Sequence, residues 1–219
     1  MIYEIFIKNN AWLTILNGLL ASVEISVFSL LCGTILGASI CFCRMSNIKV
    51  LSILAKIYIS MVRGSPVLMI LMLLFYGVFA GSGLSPLFVA VITFSLHTAA
   101  HVAELLRSSI MATDKGQVEA ARTLGFSKWQ AFKLITLPQM AKIAKPVYQS
   151  TVVNLIQWTS VVGYVTITDL TRVINNIASR TMQPMITITG GLLIYLLISY
   201  AVYGIFELTE RRGMKDGNN

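Results

Sequence analysis

Apolar residues are concentrated in five long stretches that are separated by short polar segments. Backbone groups without hydrogen-bond partners are prohibitively costly in lipid, so we interpret each stretch as a membrane-spanning helix. The five predicted spans are Ile15–Cys43, Val67–Ala80, Leu84–Ile110, Ala144–Leu170 and Met185–Phe206. The pattern therefore predicts an all-α membrane protein with a single transmembrane domain over residues 1–219.

Glycine, serine and proline mark special positions in and beside the first two spans. Gly33 and Gly37 form a small-xxx-small pair, which favours close packing of the first helix and also fits a subunit interface. We expect Ser65 to cap the second span and Pro66 to occupy its first position. The apolar segment Leu51–Met61 is flanked by basic residues, as expected for a segment near the cytoplasmic surface.

The composition supports a membrane location and argues against a soluble protein. Of 219 residues, 56% are hydrophobic and 12% are charged, which a single soluble core of this size would not accommodate. The basic residues are dispersed beside the apolar stretches and form no single patch, so nucleic-acid binding is not indicated. The cysteines Cys32, Cys41 and Cys43 all lie in the first span, where a disulfide framework is not expected.

The distribution of basic residues predicts the orientation of the chain. With the N-terminus outside, four of the 17 basic residues lie in segment 44–63, seven in segment 107–145 and three after Glu210, all on the inner side. The basic residues on the outer side are Lys8, Arg172 and Arg180. Because basic residues collect on the cytoplasmic side, we expect an external N-terminus and a cytoplasmic C-terminus.

The longest polar interruption, residues 111–143, contains the signals of two short helices, and we call this segment the elbow. Asp114 with Gln117 is positioned to cap the first helix, and Gly125 to end it in the left-handed conformation. Ser127 and Gln130 match a capping box for the second helix. Pro138 is expected to stop the continuation of that helix. Small and aromatic groups at the tip of such an elbow suit insertion into a groove of a partner protein.

The elbow carries a spaced motif that resembles the cytoplasmic coupling motif of ATP-binding-cassette (ABC) importer permeases. The match has no gap or mismatch, and its residues are Glu119, Ala120, Ala121, Gly125, Ile135, Leu137 and Pro138. The resemblance implies that the elbow docks on an ATPase subunit and transmits its motion. It also implies the five-transmembrane-helix fold of the type I, MetI-like importer permeases.

Further segments narrow the resemblance to the permeases of polar amino-acid importers, the histidine/glutamine/arginine permease-like family. The matching segments are Arg63–Pro66 before the second span, Glu104 and Arg107 in the third span, and Thr159–Ser160 and Asp169–Leu170 in the fourth. Two positions depart from the family pattern. His101 replaces a common tyrosine and Gln157–Trp158 replaces a Lys-Asp pair, so the specificity of relatives does not carry over.

The resemblance also implies partners and a location. Such a permease translocates a polar amino acid, delivered by an extracytoplasmic binding protein, across the bacterial cytoplasmic (inner) membrane. It works in membrane lipid with a second permease subunit, identical or not, and with two ATPase subunits. The sequence has no Gly-x4-Gly-Lys-Ser/Thr phosphate loop, so we expect ATP and Mg on the partner ATPase and no enzyme activity in this chain.

Polar residues at membrane depth are candidates for the substrate path, because their desolvation is costly. His97, His101 and Glu104 share one face of the third predicted helix, and Glu104 also has the spacing to pair with Arg107. The candidates in the fourth predicted span are Gln157, Thr159, Ser160 and Asp169. Uncharged donors and acceptors of this kind suit a zwitterionic substrate.

Three alternative functions are open at this point. The cluster of His97, His101 and Glu104 holds three possible zinc ligands, which favours a metal transporter if further ligands join them. The same cluster could serve a membrane-embedded hydrolase, although the sequence has no Gly-x-Ser-x-Gly or His-Glu-x-x-His motif. Asp169 and Glu24 could serve ions in a stand-alone channel or a secondary carrier.

Overall fold

The computed structural model describes residues 10–216, with side chains up to residue 209. Lys8 and the basic residues after Glu210, which entered the orientation prediction, lie outside the described side chains. The regular secondary structure of the described residues is helical, with no strand among them. The α-helices are α1 (Ala11–Met45), α2 (Lys49–Gly64), α3 (Val67–Met72), α4 (Pro86–Met111), α5 (Lys115–Thr123), α6 (Lys128–Ala131), α7 (Leu137–Trp158), α8 (Leu170–Thr181) and α9 (Pro184–Asp216).

Three helices in the described part of the chain are long and apolar enough to cross a membrane: α1, α4 and the part of α9 over Pro184–Thr209. Helix α2 and the segment Val67–Val78 pass the same test of length and composition only when taken together, as a broken span or a re-entrant loop. These elements overlap four of the five predicted stretches. The all-α membrane fold is confirmed, whereas five membrane crossings remain a prediction.

The fourth predicted stretch does not form the single helix expected over Ala144–Leu170. Helix α7 already ends at Trp158, and a 3₁₀ helix follows over Thr159–Val165. A separate helix, α8, begins at Leu170. The candidate residues of this stretch are therefore divided between the end of α7, the 3₁₀ helix and the start of α8.

Local hydrogen bonds explain why the helix breaks there. The Asp169 carboxylate accepts hydrogen bonds from the backbone N–H groups of Thr171 at 2.9 Å and Arg172 at 3.2 Å, and so caps α8. Thr166 has a φ of +69°, a left-handed conformation that an α-helix of L-residues does not contain. The chain is thus forced to leave one helix and to begin another.

The predicted start of the second span is corrected at Ser65 and Pro66. Ser65 ends α2, because its Oγ donates to the Met61 carbonyl at 2.8 Å and its backbone N–H donates to the Val62 carbonyl. Pro66 is the N-cap residue of α3, which begins at Val67 without a side-chain cap. The serine hydroxyl therefore bonds back to the preceding helix, an alternative that short polar side chains commonly find.

Pro138 does not stop the helical run after α6, contrary to the prediction. The residues just before it, Phe132–Thr136, are π-helical, and α7 begins at Leu137. Pro138 thus occupies the first turn of α7, where a missing N–H costs little, and the wide π-helical turn removes the clash with the preceding turn. The run continues from Lys128 to Trp158.

The described residues form two packed units, each with its own core. The first unit comprises residues 10–31, Pro66–Phe94 and 152–216. Phe94 and Leu155 are fully buried in it, so its core joins parts of the chain that are distant in sequence.

The second unit comprises Cys32–Ser65 and Ser95–Thr151, and its apolar core contains Cys41, Ile59 and Ala103. The Tyr58 hydroxyl donates a 2.6 Å hydrogen bond to the Leu96 carbonyl. This unit holds both the elbow and the histidine-bearing part of α4.

Gly33 and Gly37 pack directly against α4 within the second unit. A Cβ atom added at Gly33 would lie 2.7 Å from Thr98 Cβ, and one added at Gly37 would lie 2.7 Å from Val102 Cβ. Both distances are far below van der Waals contact, so only glycine allows this approach. The small-residue face of α1 is therefore covered by the same chain, which supports the helix-packing interpretation over the subunit interface.

Candidate functional site

The first elbow helix, α5, is closed at both ends by the expected residues. The Asp114 carboxylate accepts a 2.9 Å hydrogen bond from a backbone N–H in the first turn. At the other end, the Phe126 N–H donates to the Ala121 carbonyl at 3.1 Å and the Gly125 N–H donates to the Arg122 carbonyl at 3.2 Å. These bonds form a Schellman motif. Gly125 has a φ of +93°, so the predicted left-handed conformation is confirmed.

The second elbow helix, α6, begins with the predicted capping box. The Ser127 Oγ accepts from the Gln130 backbone N–H at 3.1 Å, and the Ser127 backbone N–H donates to Gln130 Oε1 at 2.7 Å. The Arg122 guanidinium also donates to the Phe126 carbonyl at 2.6 Å. The turn between α5 and α6 is therefore held by hydrogen bonds at the end of α5 and at the start of α6. These bonds fix the orientation of α6 relative to α5.

Large apolar side chains are exposed at the tip of the elbow. Leu124 is 79% exposed and Trp129 is 66% exposed, whereas Ala121 and Ala131 are buried. The Trp129 ring stacks on Phe132 with a centroid distance of 5.7 Å. An exposed apolar patch on a rigid helical turn is typical of a docking surface.

The motif residues are distributed over consecutive parts of the elbow and α7. Glu119, Ala120 and Ala121 lie on α5, Gly125 lies in the turn, Ile135 lies in the π-helical segment, and Leu137 and Pro138 begin α7. Ala121 and Gly125 shape the turn directly, since the Ala121 carbonyl accepts a closing hydrogen bond and Gly125 takes the left-handed conformation.

Gln139 ties α5 to α7 and was not found from the sequence. Its Oε1 accepts from the Asp114 backbone N–H at 3.1 Å, and its Nε2 donates to Gln117 Oε1 at 2.7 Å. The amide therefore bridges the first turn of α5 and the start of α7. Because Gln139 takes the Asp114 N–H and the Gln117 amide, Gln117 does not complete the predicted cap of α5.

The polar face of α4 contains a pair of histidine rings tilted by 42° and an ion pair. His97 is buried, and its ring lies 4.9 Å from that of His101 between centroids. Arg107 donates to Glu104 through Nε at 3.1 Å and through Nη2 at 2.6 Å. Glu104 is therefore paired, as its spacing from Arg107 predicted. No group of three His, Cys, Asp or Glu side chains among the described residues is placed to hold a metal ion.

Glu104 borders two cavities of the second unit. One, of about 340 Å³, is also lined by Arg63, His101 and Thr151. The other, of about 360 Å³, is also lined by Arg44, Lys56 and Arg63. Glu104 is the acidic residue among the lining residues of both cavities, and a carboxylate among several cations provides a site of mixed charge.

The candidates of the fourth predicted span lie in the first unit and have different environments. Gln157 and Ser160 line a cavity of about 440 Å³. Thr159 is fully buried and donates a 2.7 Å hydrogen bond to the Ile156 carbonyl. Asp169 is also fully buried, and its carboxylate is engaged in capping α8. Only Gln157 and Ser160 of these four residues are therefore placed to contact a substrate.

Comparison with known proteins identifies similar sequences and folds. The family model described as "Binding-protein-dependent transport system inner membrane component" matches residues 10–214. The chain is 37% identical over 194 residues to the probable amino-acid ABC transporter permease protein YckA of Bacillus subtilis, covering 88% of the chain and 85% of that protein. It is 34% identical over 198 residues to the L-cystine transport system permease protein TcyL of the same organism, covering 86% of the chain and 80% of the relative.

Solved structures show the same fold. A crystal structure of an amino acid ABC transporter with histidines has a chain that is 28% identical, with a TM-score of 0.82, covering 91% of this chain and 94% of that one. An inward-facing structure of the MetNI methionine ABC transporter gives a TM-score of 0.80 at 15% identity, covering 94% and 99% of the two chains. The second likeness concerns the fold alone.

Proposed function

The chain belongs to the family of binding-protein-dependent transport system inner membrane components and is a permease subunit of an amino-acid ABC importer; we propose that its substrate is a polar amino acid. The substrate is delivered by an extracytoplasmic binding protein and crosses the membrane along a path formed with a second permease subunit. The uncharged groups of Gln157 and Ser160, both bordering one cavity, support a polar substrate.

The energy for transport comes from partner subunits. We infer that two ATPase subunits bind ATP and Mg, since the sequence of this chain has no phosphate-binding loop. ATP-driven closure of the ATPases then rocks the paired permeases between outward-open and inward-open states.

The observation that carries this proposal is the elbow, with its apolar tip at Leu124 and Trp129 and its stabilised turn. Such a tip fits a groove on an ATPase subunit. A stand-alone channel or secondary carrier would have no use for it.

The deciding experiment reconstitutes the permease, the ATPase and the binding protein in lipid vesicles and measures amino-acid uptake with and without ATP. Uptake that does not depend on ATP would contradict the proposal.

The orientation gives a first testable prediction. We propose that the N-terminus is external and the elbow cytoplasmic, because most basic residues then lie inside. In a variant without Cys32, Cys41 and Cys43, Ser82→Cys should react with a membrane-impermeant thiol reagent in intact cells. Lys128→Cys should react only after permeabilisation.

Position 82 is preferred over the adjacent Gly83, whose φ of +73° disfavours any other residue. Both test positions are exposed. The reverse labelling pattern would reject the orientation.

A second prediction concerns Glu104. We expect Glu104→Gln to lower the initial rate of uptake several-fold with little loss of inserted protein. The Glu104 and Arg107 side chains are each 25% exposed, and a glutamine at position 104 keeps the size of the side chain and can still accept a hydrogen bond from Arg107. The loss of negative charge from both cavities should affect the path far more than the fold.

Arg107→Gln is the control, because it removes the same ion pair and leaves the carboxylate in place. Uptake rate and membrane-inserted protein are measured for both variants. A parallel loss of protein and uptake in Glu104→Gln would assign Glu104 a structural role.

A further inference from the structure

The cavity at Gln157 and Ser160 is built entirely within the first unit. It is bounded by the end of α7, the 3₁₀ helix, α8 and α9, and its volume is about 440 Å³. Small-molecule sites commonly enclose about 300–1,000 Å³, so the space is sufficient for an amino-acid side chain. Gly191 lines the same cavity, and a Cβ added there would lie 3.0 Å from Ile174 Cγ1. Glycine at this position lets α9 approach α8 closely.

The walls of the cavity combine apolar surface with neutral hydrogen-bonding groups. The apolar side chains that line it belong to Ile174, Ile188, Leu192 and Leu196. The polar side chains belong to Gln157, Ser160, Thr171, Asn175, Tyr195 and Ser199. Within the described part of the chain, no lining side chain carries a charge. A few convergent polar groups on an apolar wall are the usual composition of a small-molecule site.

Some of these polar groups are already satisfied within the protein. The Thr171 and Tyr195 hydroxyls share a 2.9 Å hydrogen bond, and the Ser199 hydroxyl donates to the Tyr195 carbonyl at 2.9 Å. These contacts join α8 to α9 and fix one side of the cavity. They therefore shape the cavity more than they recognise a ligand.

Gln157, Ser160 and Asn175 retain their hydrogen-bonding capacity. Among the described residues, none of these three side chains has a hydrogen bond to another protein group. Two primary amides and one hydroxyl offer both donors and acceptors. Such a set complements a ligand group that also donates and accepts, such as a carboxamide or a hydroxyl.

The charged residues nearest in sequence to this wall are engaged elsewhere. The Asp169 carboxylate is fully buried and caps α8. The Arg172 guanidinium donates to the Gly163 carbonyl at 3.2 Å. Neither residue lines the cavity. Gln157 and Asn175 are exposed and Ser160 is half-buried. An ionised ligand side chain that displaces water from these groups would thus meet no opposite charge, which is unfavourable.

From this arrangement we propose that the cavity receives the side chain of the transported amino acid and selects neutral hydrogen-bonding side chains over ionised ones. This inference rests on the proposed function, because it names the substrate class of that same importer. It makes Asn175 a specificity-determining residue, together with Gln157 and Ser160.

The test is equilibrium binding to the permease–ATPase complex in lipid nanodiscs, without the binding protein. The probes are radiolabelled L-glutamine, L-glutamate and L-arginine, which have side chains of similar length and different charge. The wild-type complex should bind L-glutamine roughly tenfold more tightly than L-glutamate or L-arginine. This factor is expected when the charged side chain of the ligand meets no opposite charge in the cavity. Asn175→Asp should shift the preference toward L-arginine by a similar factor.

Asn176→Asp is the matched control. Asn176 is the next residue on α8, is exposed and does not line the cavity, so it adds the same charge outside the site. Its binding profile should equal that of the wild type. Equal binding of the three probes by the wild type, no binding of any probe, or the same shift in both variants would overturn the inference.

ATP-dependent uptake in vesicles with the binding protein separates this inference from the proposed function. If uptake persists while the binding results fail, only the assignment of the cavity is wrong. If no amino acid is taken up with ATP present, the proposed function itself is wrong, and the inference fails with it.

Discussion

Gly125→Val is expected to abolish binding-protein-stimulated ATP hydrolysis and amino-acid uptake, while the permease still inserts and folds. Gly125 has a φ of +93°, and a residue with a Cβ is penalised by roughly 1–2 kcal/mol in the left-handed region, more when it is β-branched. A Cβ added at this position would meet no atom within 4 Å. The penalty is therefore one of backbone conformation alone.

The turn would relieve this strain by rotating, and the rotation would move the docking surface. Gly125 donates the hydrogen bond that closes α5, and the Phe126 N–H donates the second one. When both are disturbed, Leu124 and Trp129 point in new directions relative to α7. An apolar tip aimed wrongly no longer fits its groove, so the ATPase detaches or hydrolyses ATP without transport.

Gly81→Val is the matched control for this prediction. Gly81 has a φ of +74°, and a Cβ there would also meet no atom within 4 Å. The backbone penalty is thus similar, but the position lies outside the elbow. ATPase co-purification, stimulated ATP hydrolysis and uptake are compared in reconstituted complexes. If Gly125→Val equals the wild type in all three, the elbow is not the coupling element.

The local geometry of the elbow was predictable because each of its signals acts over a few residues. Asp114 bonds to the first turn of α5, Gly125 follows the last turn, and Ser127 pairs with Gln130 three positions later. Such contacts depend on the types and spacing of neighbouring residues and not on the tertiary structure. The sequence alone therefore predicts the caps and the turn.

The bridge made by Gln139 could not be predicted in the same way. Gln139 lies 25 positions after Asp114 and 22 positions after Gln117, the two residues to which it bonds. Whether they meet depends on how α5 folds back onto α7, and that depends in turn on the π-helical segment before Pro138. A pattern based on α-helical spacing contains no information on such a widening.

The division of the fourth stretch was missed because hydropathy does not report backbone conformation. Val161, Val162 and Val165 continue the apolar character of α7, although they belong to a 3₁₀ helix. The burial of Asp169 is likewise set by tertiary packing. A Cβ added at Gly18 would lie 2.9 Å from the Asp169 carbonyl oxygen, so α1 covers this residue closely. A candidate for the substrate path thus becomes a helix cap.

Gly37→Val is expected to destabilise the permease strongly, and it tests the packing on which the second unit depends. A Cβ at this position would lie 2.7 Å from Val102 Cβ and 2.9 Å from the Ala99 carbonyl oxygen. The backbone oxygen cannot move aside without distorting α4. Overpacking of this kind costs typically about 1–3 kcal/mol, a large share of the stability of a folded domain.

Gly204→Val is the control, since Gly204 lies within α9 and a Cβ there would meet no atom within 4 Å. Both glycines are helical, so each substitution changes the intrinsic helix propensity in the same direction. The thermal midpoint and the yield of monodisperse protein in detergent are measured for both variants. We expect both quantities to fall in Gly37→Val and to be maintained in Gly204→Val.

Since the Gly37 face packs on α4, the loss should occur in the isolated permease, before any partner binds. A Gly37→Val protein with wild-type stability that failed only in subunit association would instead place this face in a subunit interface.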